Sequence, residues 1–489
     1  MWSLIFIFNL FLLGLLLGCS QDSNTLKSAP SVECQDQALE NQYIAHWHSK
    51  APTKVDEKNI QDFIQKNRNE LQFVEPNYAV KILPKPRHQE TELNLTLNSS
   101  DILRNIGAYP AWNYGYLGQG IVVAVIDSGV DTENLYLRNR IYVNRGEIPD
   151  NGIDDDKNGF VDDVRGWNFT DNTNRIVDEI GHGTSVAGTI TGRRNNGESL
   201  AVAPESRILP IDIISGYTGN EFDAKRGIDY ALLMKAKIIN NSWSIVCSRY
   251  LARSFQAYER QDVIFVNSAG NIRQDVFSSQ LMLGSLTLKN FLNIGSTTLF
   301  GDVSNFSGFG RSVNLWAPGE QIPVLAHSNL PNVMSEASGT SISAAVVSGA
   351  AAVVWSAYPR LTAERIVSRL VSRSYRRGSH RIVSIDRALG LWTEPNYPVS
   401  PLPDPRSPDV TPPPSQHSPL PEPIIAPGEE DPSRIENPTS PQVPVEPVEP
   451  GLEEPSEDAP ETSPESEEEV VESPDAEDPT EPQPLSPSS

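Results

Sequence analysis

The sequence has few of the residues on which several protein classes depend. Its 489 residues include only three cysteines, too few for a disulfide-built scaffold or a zinc module with several cysteine ligands. Basic residues are also in the minority, with 39 Lys and Arg against 63 Asp and Glu and a net charge of −24. Nucleic acid is therefore not an expected partner, because phosphate binding needs a basic surface. At roughly 150 residues per domain, the length predicts about three units.

The C-terminal segment, residues 398–489, lacks phenylalanine, tryptophan, tyrosine and lysine altogether. It holds 23 acidic residues, two arginines and 26 of the 40 prolines, so its net charge is −21 and the rest of the chain carries only −3. Such a composition cannot bury enough apolar surface to offset the loss of chain entropy. We predict a disordered acidic tail. Its role as a spacer, a solubilising brush or a cell-wall contact stays open.

Residues 1–19 are typical of a targeting segment. The stretch from Met1 to Gly18 is almost wholly apolar and ends in small residues, as secretory signals do, although Met1 to Asn9 contain no Lys or Arg. Its end, Leu16-Leu17-Gly18-Cys19, resembles a bacterial lipobox, which implies a lipid on Cys19. The alternative is an uncleaved membrane anchor, since about 17 residues is the lower limit for a span. Either interpretation predicts an extracytoplasmic protein, as a membrane-attached lipoprotein precursor or secreted after processing.

A polar linker, residues 20–33, precedes a predicted small α/β unit at residues 34–83. The spacing Thr53-x-x-Asp56 predicts a helix start, and Ile60, Phe63 and Ile64 form one apolar stripe on that helix. Three strands are also predicted, with a turn at Glu75-Pro76-Asn77 between the last two. Residues 84–100 are polar and predict an exposed linker. The predicted strands are Gln42–Trp47, Leu71–Val74 and Tyr78–Leu83.

Residues 101–397 have the composition of a globular enzyme. Short apolar runs alternate with helical stretches, which predicts a mainly parallel sheet covered by helices on both faces. Functional groups of such sheets gather beyond the carboxyl ends of the strands. The predicted buried strands are Ile121–Ile126, Ile208–Ile214, Ile238–Ile239 and Val263–Val266, and a helix is predicted from Ser341 to Tyr358.

Four short segments of this region carry groups suited to nucleophilic catalysis. Asp127 ends a buried strand, and His182 stands between two glycines. Ser341 follows Gly339-Thr340 and would open the long helix. A serine needs a base to take its proton, and an acid behind the histidine holds the correct tautomer. The chain order Asp127, His182, Ser341 is that of subtilisin. Asn271, at the end of Val266–Asn271, would point its amide at the developing oxyanion.

On these segments the sequence resembles the subtilase family of secreted serine endopeptidases over residues 101–395. The resemblance implies a subtilisin-like three-layer α/β fold and no cofactor for catalysis. It also implies that the stretch around Ser242, Trp243 and Ser244 binds an extended peptide substrate, together with Ser268, Ala269 and Gly270. Because Ser244 stands where the family commonly has Gly, we name no preference for the residue before the cleaved bond.

The same resemblance extends to residues 34–83, which are similar to the inhibitor-type propeptide of subtilases. It implies a chaperone and inhibitor that is removed by self-cleavage in or near the 84–100 linker. If Cys19 carries a lipid, that cleavage would release the enzyme from its anchor. A disulfide between Cys34 and Cys247 would instead keep the two parts joined, and the alternative is that Cys247 is a buried core thiol.

A second candidate site lies in the acidic stretch from Asp150 to Asp163. Carboxylates and amides at alternate positions followed by glycine match the first half of a calcium loop, although Arg165 stands where an EF-hand has its glutamate. The alternative is a solvated acidic loop without an ion. The repulsion among clustered acids gives the calcium hypothesis its physical motive. The predicted ligands are Asp154, Asp156, Asn158 and Asp162.

The sequence thus predicts a monomeric extracytoplasmic serine endopeptidase that acts on proteins or peptides and is activated by removal of its propeptide. Two alternatives from other classes stay open. A pseudoprotease would bind peptides without turnover and would not react with serine-directed probes. A structural surface protein would depend on its acidic tail rather than on Ser341.

Overall fold

A computed structural model describes residues 38–82, 99–192, 201–245, 248–278, 282–325 and 334–391, apart from the side chains of Ser99, Met282 and Met334. Every one of these residues falls in the first of the two compact units into which the chain divides, which ends at Pro408. The predicted targeting segment, the 20–33 linker, most of the 84–100 linker and the acidic tail lie outside the described residues. So do Cys19, Cys34 and Cys247.

The N-terminal domain, residues 38–82, is a small α/β unit as predicted, but two of its predicted elements were wrong. Thr53–Asp56 is a strand, paired antiparallel with the first strand, instead of a helix start. The helix begins at Ile60, and its N-cap is Asn59, whose side chain accepts from the N–H of Asp62. An Asn at this position satisfies the free N–H groups of a first turn as well as Thr does. The elements are β1 (Ala38–Trp47), β2 (Thr53–Asp56), α1 (Ile60–Asn67) and β3 (Leu71–Lys81).

The second correction concerns the turn predicted at Glu75-Pro76-Asn77. These residues lie inside β3, which runs unbroken for 11 residues. Among the described strands, β1 alone pairs with the part of β3 up to Tyr78. A proline is compatible with a strand that is paired on one side, because its missing N–H costs no ladder bond there. The local turn signal was therefore overridden by pairing.

The main domain, residues 99–391, is built on a nine-stranded sheet. Its strand order is β16-β17-β13-β12-β11-β9-β4-β6-β5, and all neighbours are parallel except β16 and β17. The four predicted strands of this region are confirmed within one or two residues. The strands are β4 (Val122–Asp127), β5 (Trp167–Asn168), β6 (Arg207–Asp212), β9 (Ile238–Asn241), β11 (Ile264–Ser268), β12 (Phe291–Thr297), β13 (Leu315–Pro318), β16 (Tyr375–Arg377) and β17 (His380–Ile382).

The sheet is buried on both faces, which makes three layers. Along β4, Val123 and Val125 belong to one hydrophobic cluster, whereas Ala124 and Ile126 belong to another on the opposite face. Helices cover both of these hydrophobic clusters. The helices are α2 (Ser99–Asn105), α3 (Ala108–Asn113), α4 (His182–Thr191), α5 (Glu221–Leu233), α6 (Arg249–Tyr258), α7 (Met282–Ser285), α8 (Thr340–Ala357), α9 (Ala363–Ser372) and α10 (Ile385–Leu389).

Helix α8 confirms the predicted helix after Gly339. It is long and apolar enough to cross a membrane, with a mean hydropathy of 1.5 over 18 residues, and it is the one such helix in the described part of the chain. However, 89% of it is buried within the protein. Its alanines and valines pack against α4 and the central sheet. Its apolar composition is therefore that of a core helix.

Short antiparallel strands complete the main domain and reach the N-terminal domain. Strands β8 and β10 both pair with the end of β3, so that one six-stranded sheet contains strands from both domains. A separate hairpin lies beside α4. These strands are β7 (Ile214–Ser215), β8 (Thr218–Asn220), β10 (Ser244–Ile245), β14 (Ile322–Leu325) and β15 (Met334–Ala337).

Candidate active site

The four predicted catalytic segments converge at the carboxyl edge of the parallel sheet. Asp127 is the last residue of β4, and Asn271 follows the end of β11 by three residues. His182 is the first residue of α4 and Ser341 the second residue of α8, and these two helices pack against each other. Parallel strands end at the same edge, so residues far apart in the chain meet there.

Asp127 and His182 form a hydrogen-bonded pair. The Nδ1 atom of His182 lies 2.7 Å from Oδ1 of Asp127. Asp127 is fully buried, whereas the His182 side chain keeps 20% of its surface exposed. Gly183 allows this approach, because a Cβ atom there would lie 1.9 Å from the carbonyl oxygen of Gly129. The carboxylate accepts from Nδ1–H and so leaves Nε2 as the basic nitrogen.

The environment of His182 favours its charged form. Burial works against the imidazolium, but the charge of Asp127, the hydrogen bond to it and the charge of Asp178 outweigh burial, so the pKa of His182 is raised. Stabilising the imidazolium is what a general base needs while it holds a proton. The site is therefore electrostatically prepared for proton transfer from a neighbouring hydroxyl.

Ser341 lies in the first turn of α8 beside Ser242. Its Oγ donates to the carbonyl of Ser242 at 3.3 Å, and the Oγ of Ser242 donates to the carbonyl of Ser341 at 3.2 Å. Only 7% of Ser341 is exposed. The backbone after β9 is thus held directly against the candidate nucleophile. Ser242 thus lies beside Ser341, and Trp243 next to it in the chain is buried.

The amide of Asn271 is held in one orientation by Thr340. Its Oδ1 accepts from both the N–H and the hydroxyl of Thr340, each at 2.9 Å. The Nδ2 group therefore points away from Thr340. A Cβ atom placed on Gly339 would lie 3.4 Å from Nδ2 and 3.8 Å from the backbone nitrogen of Ser341, so these two nitrogens border one small space.

The end of β3 lies between two strands of the main domain, β10 and β8. Lys81 pairs with Ser244 of β10, and on the other side it pairs with Thr218 of β8. The N–H of Ile82 donates to the carbonyl of Tyr217 at 3.2 Å. This segment is thus the middle strand of a three-stranded antiparallel arrangement. Ser244, predicted to bind substrate, contacts β3, and Ser268, Ala269 and Gly270 lie buried at the end of β11.

A buried glutamate joins the N-terminal domain to the main domain. Glu221, the first residue of α5, accepts from the N–H of Tyr78 at 3.1 Å and from the hydroxyl of Ser248. Burial raises the pKa of Glu221 to about 8, with the charge of Glu75 adding to it against the Ser248 hydrogen bond. Sequence reasoning missed this residue, because no local pattern shows that a distant strand covers it.

The acidic loop, residues 147–163, brings together two of the four predicted metal ligands. Asp154 and Asp156 lie with Glu147, and one oxygen of each is within 4.8 Å of the others. Asp162 instead accepts from the N–H groups of Asn151 and Gly152. The amide oxygen of Asn158 accepts from the N–H of Phe160. Sequence reasoning missed Glu147, although a carboxylate just before the loop could have been included.

Three carboxylates of this kind fit a calcium ion. Calcium takes six to eight oxygen ligands in flexible geometry, and no softer donor stands among the three residues. The backbone N–H groups of Asn158 and Gly159 donate to Asp154, and that of Asp156 donates to Glu147. The loop therefore holds its carboxylates in place through its own backbone.

Comparison with known proteins agrees with this geometry. The model of the subtilase family (Peptidase S8) matches residues 118–390. The chain is 30% identical over 260 residues to the major intracellular serine protease of Bacillus subtilis. The aligned region covers 52% of this chain and 73% of that protein. It is also 30% identical over 284 residues to subtilisin-like protease 1 of Plasmodium berghei. That aligned region covers 53% of this chain and 46% of that protein.

Other matches are of the same kind. A probable subtilase-type serine protease of Deinococcus radiodurans is 28% identical over 280 residues, covering 54% of this chain and 37% of that protein. The chain thus spans less than half of two of these three relatives. The crystal structure of a cold-adapted subtilisin-like serine proteinase matches with 25% identity and a TM-score of 0.45, covering 55% of this chain and 89% of that one.

Proposed function

Because the chain belongs to the subtilase family and is a subtilisin-type serine endopeptidase, we propose that it cleaves proteins or peptides outside the cytoplasm with a triad of Asp127, His182 and Ser341. The observation that carries the proposal is the 2.7 Å bond between Nδ1 of His182 and Asp127, at the sheet edge where Ser341 lies in the first turn of α8. Charge on Asp127 then supports the imidazolium that forms when His182 takes the serine proton.

In the proposed reaction, Ser341 Oγ turns from the carbonyl of Ser242 towards Nε2 of His182 and attacks the peptide carbonyl carbon. His182 takes the hydroxyl proton and passes it to the leaving amine, which leaves an acyl-serine. Water then attacks the acyl group by the same route. The Nδ2 group of Asn271 and the N–H of Ser341 donate to the oxyanion, since both border one space beside Gly339.

The substrate is proposed to bind as an extended strand between β8 and β10. Support comes from the end of β3, which occupies that position with main-chain pairing on both sides. Main-chain pairing gives affinity that does not depend on sequence. A peptide bound in the same place would have its backbone beside Ser242, whose carbonyl contacts Ser341.

The N-terminal domain is proposed to be an inhibitory propeptide. Its last strand blocks the same groove, so a substrate and β3 cannot bind together. Removal of the domain by a cut in the 84–100 linker would open the groove. A signal sequence ending at Cys19, and release of the enzyme from a lipid on Cys19 by that cut, complete the proposal from the sequence. A Cys34–Cys247 disulfide would prevent that release, and non-reducing gels of the processed protein distinguish the two cases.

The test compares wild type, Ser341→Ala and a control, Ser278→Ala, which changes an exposed serine. Each full-length protein is labelled with a fluorophosphonate probe, and the N-terminus of the product is sequenced. We expect wild type and Ser278→Ala to label and to begin within residues 84–100, while Ser341→Ala stays unlabelled and unprocessed. Absence of both label and processing in wild type would contradict the proposal and favour a pseudoprotease.

A structural calcium ion in the acidic loop is the second part of the proposal. Glu147, Asp154 and Asp156 would hold it, and it would take no part in the reaction. Calcium at a hundredfold excess over its Kd should stabilise the fold by about 2.7 kcal/mol. The Tm of wild type and of Asp150→Asn should therefore rise with calcium, whereas that of Asp156→Asn should not. An equal rise in all three proteins would refute binding at this site.

A further inference from the structure

A buried carboxylate outside the triad, Asp178, lies between β5 and α4 and is only 3% exposed. Sequence reasoning gave it no role. Its carboxylate nevertheless accepts hydrogen bonds from more groups than the carboxylate of Asp127 does. The donors are Ser128 Oγ at 2.9 Å, Ile180 N at 3.3 Å, Gly181 N at 2.8 Å, Thr184 N at 2.8 Å and Thr184 Oγ1 at 2.6 Å.

Apart from Ile180 and Gly181, which closely follow Asp178 in the chain, these donors come from two different parts of the fold. Ser128 follows Asp127 directly at the end of β4, and Thr184 lies two residues after His182 in the first turn of α4. Two further bonds cross the same gap. The N–H of Gly183 donates to Ser128 Oγ at 3.2 Å, and the N–H of Asp131 donates to Thr184 Oγ1 at 2.9 Å. Asp178 is thus the common acceptor between the aspartate strand and the histidine helix.

Helix α4 also has no N-cap side chain of its own. Its N-cap is Gly181, which has a φ of 76° and offers no side-chain oxygen. The carboxylate of Asp178 replaces that missing cap, because it accepts from Thr184 N in the first turn. A negative charge is also favourable at a helix N-terminus. The orientation of the turn that carries His182 therefore depends on Asp178.

We propose that Asp178 is a positioning residue of the active site, which ties Ser128 to Thr184 and thereby keeps Asp127 and His182 in hydrogen-bonding register. It touches neither the substrate nor the nucleophile. The inference rests on the proposed function, since it concerns how the triad is held. It extends that function by assigning a second acid, beside Asp127, to the site.

The charged groups around Asp178 define how the proposal is tested. His182 faces it from α4, Asp127 from β4 and Asp212 from β6, while Asp171 and Glu179 lie on its own connecting segment. The charge of Asp178 helps to raise the pKa of His182. Its removal should lower that pKa, so His182 would become neutral, and active, at a lower pH. A residue that only supports the fold would not shift the acid limb of the profile of activity against pH.

The experiment measures kcat, KM and the acid limb of kcat/KM for the processed enzyme. Asp178→Asn should lower kcat about 10-fold with KM nearly unchanged, because misplaced catalytic groups cost turnover rather than binding. Its acid limb should shift to lower pH. Asp171→Asn, which removes an exposed charge from the same segment, should match wild type. An unshifted acid limb and an unchanged kcat in Asp178→Asn would overturn the proposal, even if its Tm falls.

Thr184 provides a second route if Asp178→Asn does not fold. Thr184→Val removes one bridging hydroxyl and keeps the charge, so kcat should fall without a shift of the acid limb. Thr184→Ser restores the hydroxyl and should recover kcat. Wild-type kinetics in Thr184→Val would also overturn the proposal. An NMR titration of His182 in the Ser341→Ala background reads the same pKa change without turnover, so its outcome does not depend on whether the enzyme is active.

Discussion

The N-terminal domain and the main domain differ in how much of its buried core each one forms by itself. Helix α1 has no buried residue, whereas sixteen residues of α8 are buried. Val80 and Ile82 of the N-terminal segment are buried in a cluster that belongs to the main domain. The smaller domain therefore completes part of its core with its partner, and the larger one has its own. Domains of about 50 residues commonly need such help.

The largest expected effect follows because the core of the N-terminal domain is completed by the main domain. A peptide of residues 34–83 alone should lack a cooperative unfolding transition, because Val80 and Ile82 would be exposed to water. Circular dichroism during heating measures this. Addition of the Ser341→Ala main domain should restore the helix and strand signal. A cooperative transition in the isolated peptide would show that the comparison between the two domains is wrong.

In the main domain, substitution of an active-site side chain is expected to lower activity more than stability. Asn271→Ala should lower kcat about 10²–10³-fold, a magnitude carried over from subtilisin itself for loss of an oxyanion donor. KM should change little, and Tm should fall by the amount that loss of the two buried hydrogen bonds from Thr340 costs. Asn271→Asp keeps the acceptor for Thr340 but replaces the donor with an oxygen, so its kcat should be at least as low. A wild-type kcat in either variant would remove Asn271 from the oxyanion hole.

The contact between the domains can be tested at Val80, which is fully buried. Val80→Ala should weaken inhibition of the main domain by about 2 kcal/mol, or about 30-fold in Kd, through lost apolar contact and a small cavity. Val74→Ala removes the same atoms from the part of β3 that pairs with β1, and its effect should be much smaller. Equal losses in the two variants would mean that β3 does not bind through its end.

Measured per pH unit, the smallest expected effect is a dependence of inhibition on pH. In the docked chain Glu221 is buried and its pKa is about 8. We expect undocking to expose it, so docking should take up a proton. Affinity should be highest at low pH and should fall as pH rises towards about 8, by at most about tenfold per pH unit. Glu75, Arg249 and Arg253 also face this contact, so the Kd of Glu221→Gln serves as the reference. An identical pH slope in Glu221→Gln would exclude Glu221 as the linked group.

Predictability from the sequence differed between the same two regions. In the main domain, apolar strands that end at or shortly before Asp127, Asn271 or Ser242 predicted both the sheet and the location of the site, because each signal is local. In the N-terminal domain, Thr53 and Pro76 suggested a helix start and a turn, and both lie in strands. Pairing with neighbouring strands overrode these weak local preferences.

The residue types and chain order of Asp127, His182 and Ser341 were sufficient to predict the reaction, since nucleophile, base and acid are recognised by their chemistry. Folding was needed to show that Thr340 orients Asn271, that Asp178 joins β4 to α4, and that Glu147 lies with Asp154 and Asp156. It was also needed to show that the end of β3 pairs with β8 and β10 of the main domain. Such contacts join residues that are distant in the chain, and their energy depends on burial and geometry, which no local pattern records.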